Sequence, residues 1–456
     1  MKNIVIQSIL ILGFNSILNA QEIPEEFIEN EIYNLSVDIG ENWESYTTLG
    51  SPRFQLSQNE LNQLNIHSRF GFQSINNSIA LYGFGHFTFN NNFYGYLYPR
   101  IVNDIDAFPR YSGIPRDITR GGFNSGETDL SGIGYQSDWL TIQLGRGREN
   151  WGAGTNIQLA LSKNSPPYDY GMIGLDMKNI RVKYIHGFLE STESIVNRYI
   201  TARGVEWTNK KTLIFGLTET VIYSGQNRPI DLGYMNPIST HLEIELNERL
   251  NSLGTGSANA VWQASLDWMV SPKIRLSGNF LFDEFVIDGI EKDAGKEHGL
   301  AYSGRISFTP VKNQSSLLTA YISLLKVGTP TFRHGSGTNN FVIRNKPLGW
   351  YYGSDGRELK IGMNYSNRNK LFLYMSTGKR ERGEESITSR PYEPYKDYLA
   401  GPFPSGGVEI HEFISMDFKW VWKPSIQLEG KAEWGKNSEP NWIFGMNIYF
   451  PKEFQL

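Results

Sequence analysis

The sequence predicts an all-β membrane protein built as a closed antiparallel transmembrane β-barrel, with a few short helices and with inserted loops that plug the lumen. Two observations support this prediction. Aromatic residues make up 13% of the 456 residues and recur at every second position in many short segments. The mean hydropathy is only −0.38, and no run of 18 apolar residues follows the N-terminal segment. Strands whose side chains point alternately to the lipid and to the lumen explain both features, because half of those side chains are polar.

The first 64 residues do not follow the barrel pattern. Residues 1–20 combine Lys2, an apolar stretch and Ala20, which predicts a secretory signal peptide. Residues 21–64 are assigned to an N-terminal periplasmic or plug segment, either a flexible leader or a small helical element packed at or under the barrel. A capping-box pattern over residues 57–60 predicts a short helix within this segment. Residues 65–456 form the predicted outer-membrane β-barrel.

Composition argues against several classes of protein. The chain has no cysteine, which excludes disulfides, a lipid anchor on cysteine and thiolate metal sites. A net charge of −4 and a pI near 6.1 provide no general attraction to nucleic acid. The seven histidines are scattered, and no motif of a serine hydrolase, a zinc protease or a P-loop enzyme occurs. We therefore predict a non-enzymatic protein with no catalytic residue, no metal, no cofactor and no nucleic-acid partner.

Segments with period-two alternation cover most of the remaining chain and are predicted as strands. They lie at residues 65–74, 78–89, 93–101, two strands within 133–144, 171–177, 180–189, 198–208, 212–224, 260–270, 273–287, 300–310, 317–325, 358–367, 370–379, 410–423, 426–435 and 441–450. Short polar turns join several pairs, for example at residues 76–77 and 209–211. Allowing about 24 residues per strand and connection, the mature chain accommodates roughly 16 to 18 strands.

The last predicted strand also bears on location. It places Trp442, Phe444, Met446, Ile448 and Phe450 on one face. This pattern is similar to the C-terminal signal that outer-membrane insertion machinery reads, although six further residues follow Phe450. We therefore expect a monomer in the cell outer membrane, with the insertion machinery and outer-membrane lipids as partners.

Several segments between the strands are irregular or helical. Residues 102–127, 329–352 and 381–408 are long and irregular, and we expect them outside the cell or folded into the lumen. Residues 238–253 have the clearest helical periodicity, and we expect this helix to plug the lumen or to lie at its periplasmic mouth. On the strand at 212–224, Glu219 falls in an apolar row. Either the register breaks there, or that end of the row lies outside the hydrocarbon.

The most distinctive connection is the segment of residues 146–164. Read from Gly145, the residue before it, the chain runs Gly-Arg-Gly-Arg-Glu-Asn-Trp-Gly-Ala-Gly to Gly154, and the segment follows a predicted hairpin. Glycine permits a positive φ and a close approach to another surface, so this pattern indicates a segment pinned in a fixed position. The two prolines at 166 and 167 favour an extended exit from it.

Short motifs along the chain occur in the order found in one protein family. The pattern Gly145-Arg146, Trp151-Gly152-x-Gly154 and Leu161-Ser162-x-Asn164, within an outer-membrane β pattern, resembles the Wzi family of capsule assembly proteins. Further matching motifs lie at residues 219–223, 234–237, 283–285, 347–349, 353–356 and 403–406. The resemblance implies a barrel of 18 strands. It also implies binding of capsular or other surface polysaccharide, which the barrel would help to assemble or anchor at the cell surface.

Residue chemistry then selects candidate ligand-binding residues. Recognition of sugars uses flat aromatic faces and planar hydrogen-bonding groups, and arginine suits acidic sugars. The candidates are Arg146, Arg148, Trp151 and Asn164 in the first segment, and Arg333, His334 and Trp350 in the second. We expect Trp151→Ala to reduce the retention of surface polysaccharide and to leave the barrel intact.

Three other interpretations remain open from the sequence. In a purely structural one, Arg146, Arg148 and Trp151 pin the loop by pairing with lumen carboxylates, for which the candidates are Glu219, Asp283 and Glu284. In a second, the protein is an outer-membrane channel or transporter, which a lumen clear of inserted elements would favour. In a third, it is a barrel component of a gliding or surface-secretion machinery.

Overall fold

The architecture is a closed barrel. The computed structural model describes residues 23–41, 43–50, 63–90, 92–108, 110–192, 195–246, 258–284, 286, 289–313, 315–367, 370–395, 400–436 and 441–455. Within these ranges, 18 antiparallel strands form one sheet in which the first strand also pairs with the last. The predicted fold class is therefore confirmed, together with the strand number that the resemblance implied.

Each wall strand pairs with its neighbours in the sequence. The wall strands are β1 (Leu64–Ile75), β2 (Ser78–Phe89), β3 (Phe93–Val102), β4 (Ser125–Gln136), β5 (Leu140–Gly147), β6 (Tyr168–Met177), β7 (Ile180–Ser191), β8 (Val196–Thr208), β9 (Leu213–Gln226), β10 (Ala258–Ser271), β11 (Ile274–Glu284), β12 (Gly299–Lys312), β13 (Leu317–Val327), β16 (Gly356–Asn367), β17 (Leu371–Arg382), β18 (Glu409–Lys423), β19 (Ile426–Gly435) and β20 (Asn441–Gln455). A small hairpin, β14 (Val342–Ile343) and β15 (Lys346–Pro347), lies between β13 and β16.

The described helices are short. They are α1 (Ile28–Asp38), α2 (Leu232–Met235), α3 (His241–Leu246) and α4 (Gly289–Asp293). Among the described residues, no helix combines the length and the apolar character needed to cross a membrane. The predicted signal peptide at residues 1–20 and the predicted helix at 57–60 lie outside the described residues. The strand predicted at 441–450 is longer than expected, because β20 continues to Gln455.

The two ends of the barrel carry connections of different length. At one end, the connections between β2 and β3, β4 and β5, and the later pairs never exceed four residues. At the other end, the connections include residues 103–124, 148–167, 328–355 and 383–408. In outer-membrane barrels the short turns are periplasmic and the long loops are extracellular. The long connections therefore define the extracellular mouth.

Alternation along the strands separates a lipid face from a lumen face. On β9, for example, Phe215 and Leu217 are exposed, whereas Ile214 and Gly216 are buried. Opposite each other across the closing seam, Phe70 and Phe450 are both exposed on the outside. Apolar side chains outside and polar side chains inside are what the period-two pattern predicted.

The described part of the N-terminal segment, residues 23–41 and 43–50, lies inside the lumen. Charged groups on α1 and just before it contact strands around the whole barrel: Glu26 contacts Arg100 of β3 at 3.0 Å, Glu29 contacts Arg69 of β1, Glu31 contacts Lys419 of β18 at 2.7 Å, and Asp38 contacts Arg275 of β11 at 2.8 Å. Glu29 and Glu31 lie in the first helical turn, where the helix dipole favours negative charge. An acidic plug is thus held to a basic lumen wall.

The prediction that a helix at residues 238–253 plugs the lumen is wrong. Its described part is α3 at His241–Leu246, and residues 247–257 lie outside the described residues. The backbone N–H of His241 donates to Glu219, which lies on the outward side of β9 with Phe215 and Leu217. The described part of the helix therefore packs against the outside of the barrel wall.

Candidate ligand site at the extracellular mouth

The glycine-rich segment after β5 enters the lumen and is pinned there, as its composition predicted. Gly152 and Gly154 have positive φ values of 123° and 76°. The N–H of Gly152 donates to the carbonyl of Thr48 at 2.8 Å, and the N–H of Trp151 donates to that of Leu161 at 3.1 Å. The segment therefore packs directly against the N-terminal plug.

Trp151 is buried at the centre of this contact, with only 2% of its surface exposed. It forms a backbone bridge with Leu49 of the plug. Its indole N–H donates to the Glu149 carboxylate at 2.6 Å, and Glu149 also accepts from Lys183 of β7 at 2.8 Å. The indole ring that the sequence offered as a sugar platform is therefore enclosed by protein.

Arg148 is a buried anchor of the same segment. Its guanidinium makes two hydrogen bonds to the Asp129 carboxylate on β4, and its Nε donates to the carbonyl of Ser165 at 2.9 Å. Arg100 of β3 approaches Asp129 at 3.4 Å. The structural interpretation correctly paired Arg148 with a lumen carboxylate. The carboxylate is that of Asp129, which was not among its three candidates.

Arg146 and Asn164 are separated from these buried residues. Arg146 lies on the outward side of β5 with Ile142 and Leu144, and it pairs with Asp169 of β6 at 2.9 Å. Asn164 is exposed and lies between Lys163, which pairs with Glu25 of the plug, and Ser165, whose carbonyl accepts from Arg148. The four residues predicted as one ligand group therefore occupy three different environments.

The second predicted cluster is also mostly enclosed. Arg333 is buried, donates to the Glu385 carboxylate and lies over the Tyr395 ring at 4.4 Å from its centroid. His334 is partly exposed, and its Nδ1 accepts from the N–H of Ser336 at 2.9 Å. Trp350 is buried in the main core cluster.

A close backbone approach fixes this second segment. A Cβ placed on Gly349 would lie 1.7 Å from the carbonyl oxygen of Leu159. Ser162 donates to the carbonyl of Gly349 at 2.6 Å, and Trp350 N–H donates to that of Leu159 at 3.1 Å. Residues 328–355 and 148–167 are therefore packed on each other.

Of the predicted lumen carboxylates, Asp283 faces the lumen and Glu219 does not. Asp283 accepts from the backbone N–H of Phe332 at 2.6 Å, so it holds the inserted loop. Glu219 is on the lipid-facing register of β9 and is covered by α3, so its placement in the lumen was wrong. The side chain of Glu284 lies outside the described part of the chain.

An accessible charged surface remains on a different part of the wall, which no motif of the sequence indicated. It is formed by inward-facing side chains of β16–β19, and we call it the hydrated wall. Its members are Lys360, Arg382, His411, Lys431 and Glu433, with side-chain exposures between 24% and 48%. Alternation of charged residues within these strands was the available signal, but it does not distinguish an open lumen from a filled one.

Tyr352 connects the hydrated wall to the extracellular loop. The guanidinium carbon of Arg380 lies 3.4 Å from the centroid of the Tyr352 ring, and Arg380 also pairs with Glu358 at 2.8 Å. Burial, together with the Glu358 and Glu433 carboxylates, raises the pKa of the Tyr352 hydroxyl to about 12 despite the opposing effect of Arg380. The hydroxyl therefore stays protonated and can donate a hydrogen bond.

Tyr351 presents a second aromatic ring at the same place. It is 59% exposed and lies edge-to-face on Tyr352 at 5.0 Å. Ser386 donates to the carbonyl of Tyr352, and Arg382 donates to the nearby Thr388 hydroxyl at 3.2 Å. The exposed ring of Tyr351 thus lies next to Tyr352, which is itself surrounded by Arg380, Glu358 and Glu433.

Within the described ranges, no cluster of three or more histidine or acidic side chains is placed to hold a metal ion.

The closed sheet, the apolar outer face and the long loops at one end together define an outer-membrane β-barrel. Among solved structures, the chain is similar to Wzi of Escherichia coli, described as a carbohydrate-binding β-barrel involved in group 1 capsule assembly. The TM-score is 0.59 at 10% identity, over 85% of this chain and 84% of that chain.

Two other similar structures are OpdK and OprD of Pseudomonas aeruginosa. OpdK has a TM-score of 0.46 at 10% identity over 86% of this chain and 98% of its own. OprD has a TM-score of 0.44 at 8% identity over 88% and 98%. A scan with protein-family models finds no matching family, and a search of curated proteins finds no matching sequence. Likeness at such low identity concerns the fold.

Proposed function

We propose that this outer-membrane barrel binds capsular or other surface polysaccharide at its extracellular mouth and helps to assemble or anchor it on the cell. The observation that carries the proposal is the exposed ring of Tyr351 beside the hydrated wall. An aromatic face packs on the C–H side of a sugar ring, while Arg382 and Lys431 suit acidic groups. The proposal assigns no catalytic activity to the chain and treats the monomer as the binding unit.

The likeness to Escherichia coli Wzi supports the proposal, because that protein is described as carbohydrate-binding. The candidate residues differ from those suggested by the motifs, since Trp151 and Trp350 are enclosed and Tyr351 is exposed. Tyr351 contacts Tyr352, whose ring lies on Arg380 of β17, so an exposed aromatic ring lies close to the charges of this wall.

The test is binding of purified, detergent-solubilised protein to a glycan array and to capsular polysaccharide from the host cell. We expect Tyr351→Ala to weaken binding about tenfold, which corresponds to about 1.4 kcal/mol and to the loss of one aromatic contact. Ile114→Ala is the matched control, because Ile114 is also exposed but lies in the connection between β3 and β4. Equal binding by both variants would remove Tyr351 from the site, and no binding by the unaltered protein would end the proposal.

A channel is the second candidate function, and the hydrated wall is the observation that favours it. Its charges extend from Arg382 at the mouth towards Lys419, which contacts Glu31 of the plug at 2.7 Å. Planar-bilayer recording separates the two functions. The polysaccharide proposal expects little or no steady conductance, whereas large, steady openings of the unaltered protein would favour a channel.

A further inference from the structure

The outer surface of the barrel has a polar area where a lipid face is expected. On β8, Val205 and Trp207 are exposed on the outside, like the other apolar side chains of the lipid face. The next residues on that side, Arg203, Thr201 and Tyr199, are buried. Something other than lipid therefore covers the extracellular half of this face.

The cover is the connection between β9 and β10, and we call residues 228–244 the outer flap. It contacts outward-facing side chains of β7, β8 and β9. These contacts are Tyr199 Oη to the carbonyl of Arg228 at 2.8 Å, Tyr184 Oη to the carbonyl of Tyr234 at 2.9 Å, His241 N–H to Glu219 at 2.9 Å, and the Tyr223 ring stacked on that of Tyr234 at 4.3 Å.

A charged pair lies under the flap. Arg203 Nε is 3.3 Å from Glu219 Oε2, and none of the three guanidinium nitrogens of Arg203 has a hydrogen-bond partner among the described residues. His186 Nε2 is 2.7 Å from the Tyr223 hydroxyl in the same covered area. Charged side chains on the lipid face of a barrel are destabilising near the middle of the bilayer, so this area needs a protein cover if it lies at membrane height.

The height of the covered area follows from β7. A strand tilted by about 45° climbs roughly 2.4 Å per residue along the membrane normal, so an apolar band about 25 Å tall spans about ten residues. On the outward side of β7, Ile180 and Phe188 are exposed, and the covered Tyr184 and His186 lie between them. Apolar residues thus continue above and below the covered area, which places the flap alongside the hydrocarbon.

The side of the flap that turns away from the wall is itself apolar. Its exposed large side chains are Ile230, Leu232, Met235, Ile238 and Leu242, with exposures from 43% to 85%. Glu243 is the charged residue among the exposed flap side chains that the structure describes. We infer that the outer flap is embedded in the outer leaflet, where these five side chains contact lipid acyl chains and extend the apolar belt over the Arg203–Glu219 pair.

The absence of cysteine makes site-directed spin labelling a direct test. Leu232→Cys and Ile238→Cys place labels on the flap. Leu217→Cys is the control in the lipid belt, and Ile118→Cys is the control on an exposed apolar residue of an extracellular connection. The full-length protein is reconstituted in phosphatidylcholine vesicles. Collisions with oxygen, which concentrates in lipid, are compared with collisions with a water-soluble nickel chelate.

The expected result is that both flap labels lose access to the nickel chelate and gain access to oxygen, as the Leu217 label does. Nickel access equal to that of the Ile118 label would place the flap in water and overturn the inference. Labels shielded from both reagents would also overturn it, because the surface would then be covered by protein, such as a second copy of this chain.

Discussion

The two sides of the lumen use charged residues in opposite ways. On the inward face of β7–β12, which we call the packed wall, the charged side chains of Lys183, Glu206, Asp267, Arg275 and Arg305 are at most 9% exposed. On the hydrated wall of β16–β19, its five members are 24% to 48% exposed, whereas Glu358, Arg380 and Lys419 on the same strands are 9%, 11% and 18% exposed. Both walls have the same strand geometry, so the strands themselves do not cause this difference.

The difference comes from the chain segments that fill one side of the barrel. Thr48 donates to Glu206 at 2.8 Å, Tyr46 donates to Asp267 at 2.9 Å, and Asp38 accepts from Arg275 at 2.8 Å. Breaking such buried pairs leaves a charge without a partner and is costly, whereas half-exposed pairs contribute little to stability. Charges on the packed wall therefore hold the plug, and those on the hydrated wall are available to a ligand.

The largest expected effect comes from the aromatic residues of the two sides. The burial of Trp151 overturns the sequence-based expectation that Trp151→Ala leaves the barrel intact. We expect this variant to destabilise the barrel by about 3–5 kcal/mol, because it leaves a cavity where the indole packs against the plug. Tyr351→Ala should change stability by no more than about 0.5 kcal/mol, because the ring is exposed. Urea unfolding in detergent, followed by the heat-dependent shift on a denaturing gel, measures both. Similar stability of the two variants would contradict the contrast between the walls.

The two arginines Arg148 and Arg382 give the next largest contrast. Arg148→Ala leaves the buried Asp129 with Arg100 at 3.4 Å as its remaining ion-pair partner, and we expect a loss of about 3 kcal/mol. Arg382→Ala removes a half-exposed pair with Glu409 and should cost less than about 1 kcal/mol. The fraction of folded, heat-modifiable barrel is the measurement, and a yield for Arg148→Ala equal to that for Arg382→Ala would argue against a buried anchor.

A smaller effect is expected for Asp38→Ala on α1, which should loosen the plug. Asp38→Ala removes the carboxylate that Arg275 and Arg305 contact at 2.8 and 3.4 Å. Arg275 keeps Asp267, so we expect the plug to be weakened by about 2 kcal/mol, or about thirtyfold in the open population. Planar-bilayer recordings should then show more frequent openings than the unaltered protein. Glu433→Ala, on the hydrated wall, is the control, and equal opening frequencies in the two variants would refute the role of Asp38.

The last expected effect is a pH dependence of the plug. Burial opposes ionisation of Glu25, but Lys163 and Arg110, each 3.3 Å away, lower its pKa from 4.5 to about 2. Because the pKa is lower in the folded plug, the stabilisation is complete above pH 4.5, decreases below it and is lost as the pH falls through about 2. Hydrogen exchange of residues 23–50 measures it. Glu25→Gln should flatten this acid dependence, and an unchanged profile would assign it to other carboxylates.

Much of the barrel followed from the sequence, whereas the partners inside it did not. The strand predicted at 198–208 corresponds to β8 at Val196–Thr208, because alternation identifies which residues share a face. Alternation does not tell which inserted segment a face meets. For that reason, the structural interpretation offered Glu219, Asp283 and Glu284 as partners of Arg148, which instead binds Asp129.

The candidate site was the least predictable part. The motifs drew attention to Trp151 and Trp350, which packing encloses, and away from Tyr351, which the same fold leaves exposed. The sequence does not show which of several tyrosines or tryptophans is exposed to solvent. Their accessibility depends on contacts such as that of residues 148–167 with 328–355, which are far apart along the chain.

By itself, the sequence determined the class of protein, the order of the strands and the rigid glycine segment, because these follow from period-two alternation, turn residues and backbone freedom within a few neighbouring positions. Only the tertiary structure decided which side of the lumen is filled and on which side of the wall a connection lies. The helical pattern at 238–253 indicated an apolar face, and in the described part of this helix Ile244 packs on the outside of the wall, whereas Leu242 turns away from it. The physical reason is that amphipathic periodicity specifies how much surface must be covered, while long-range packing chooses the surface that covers it.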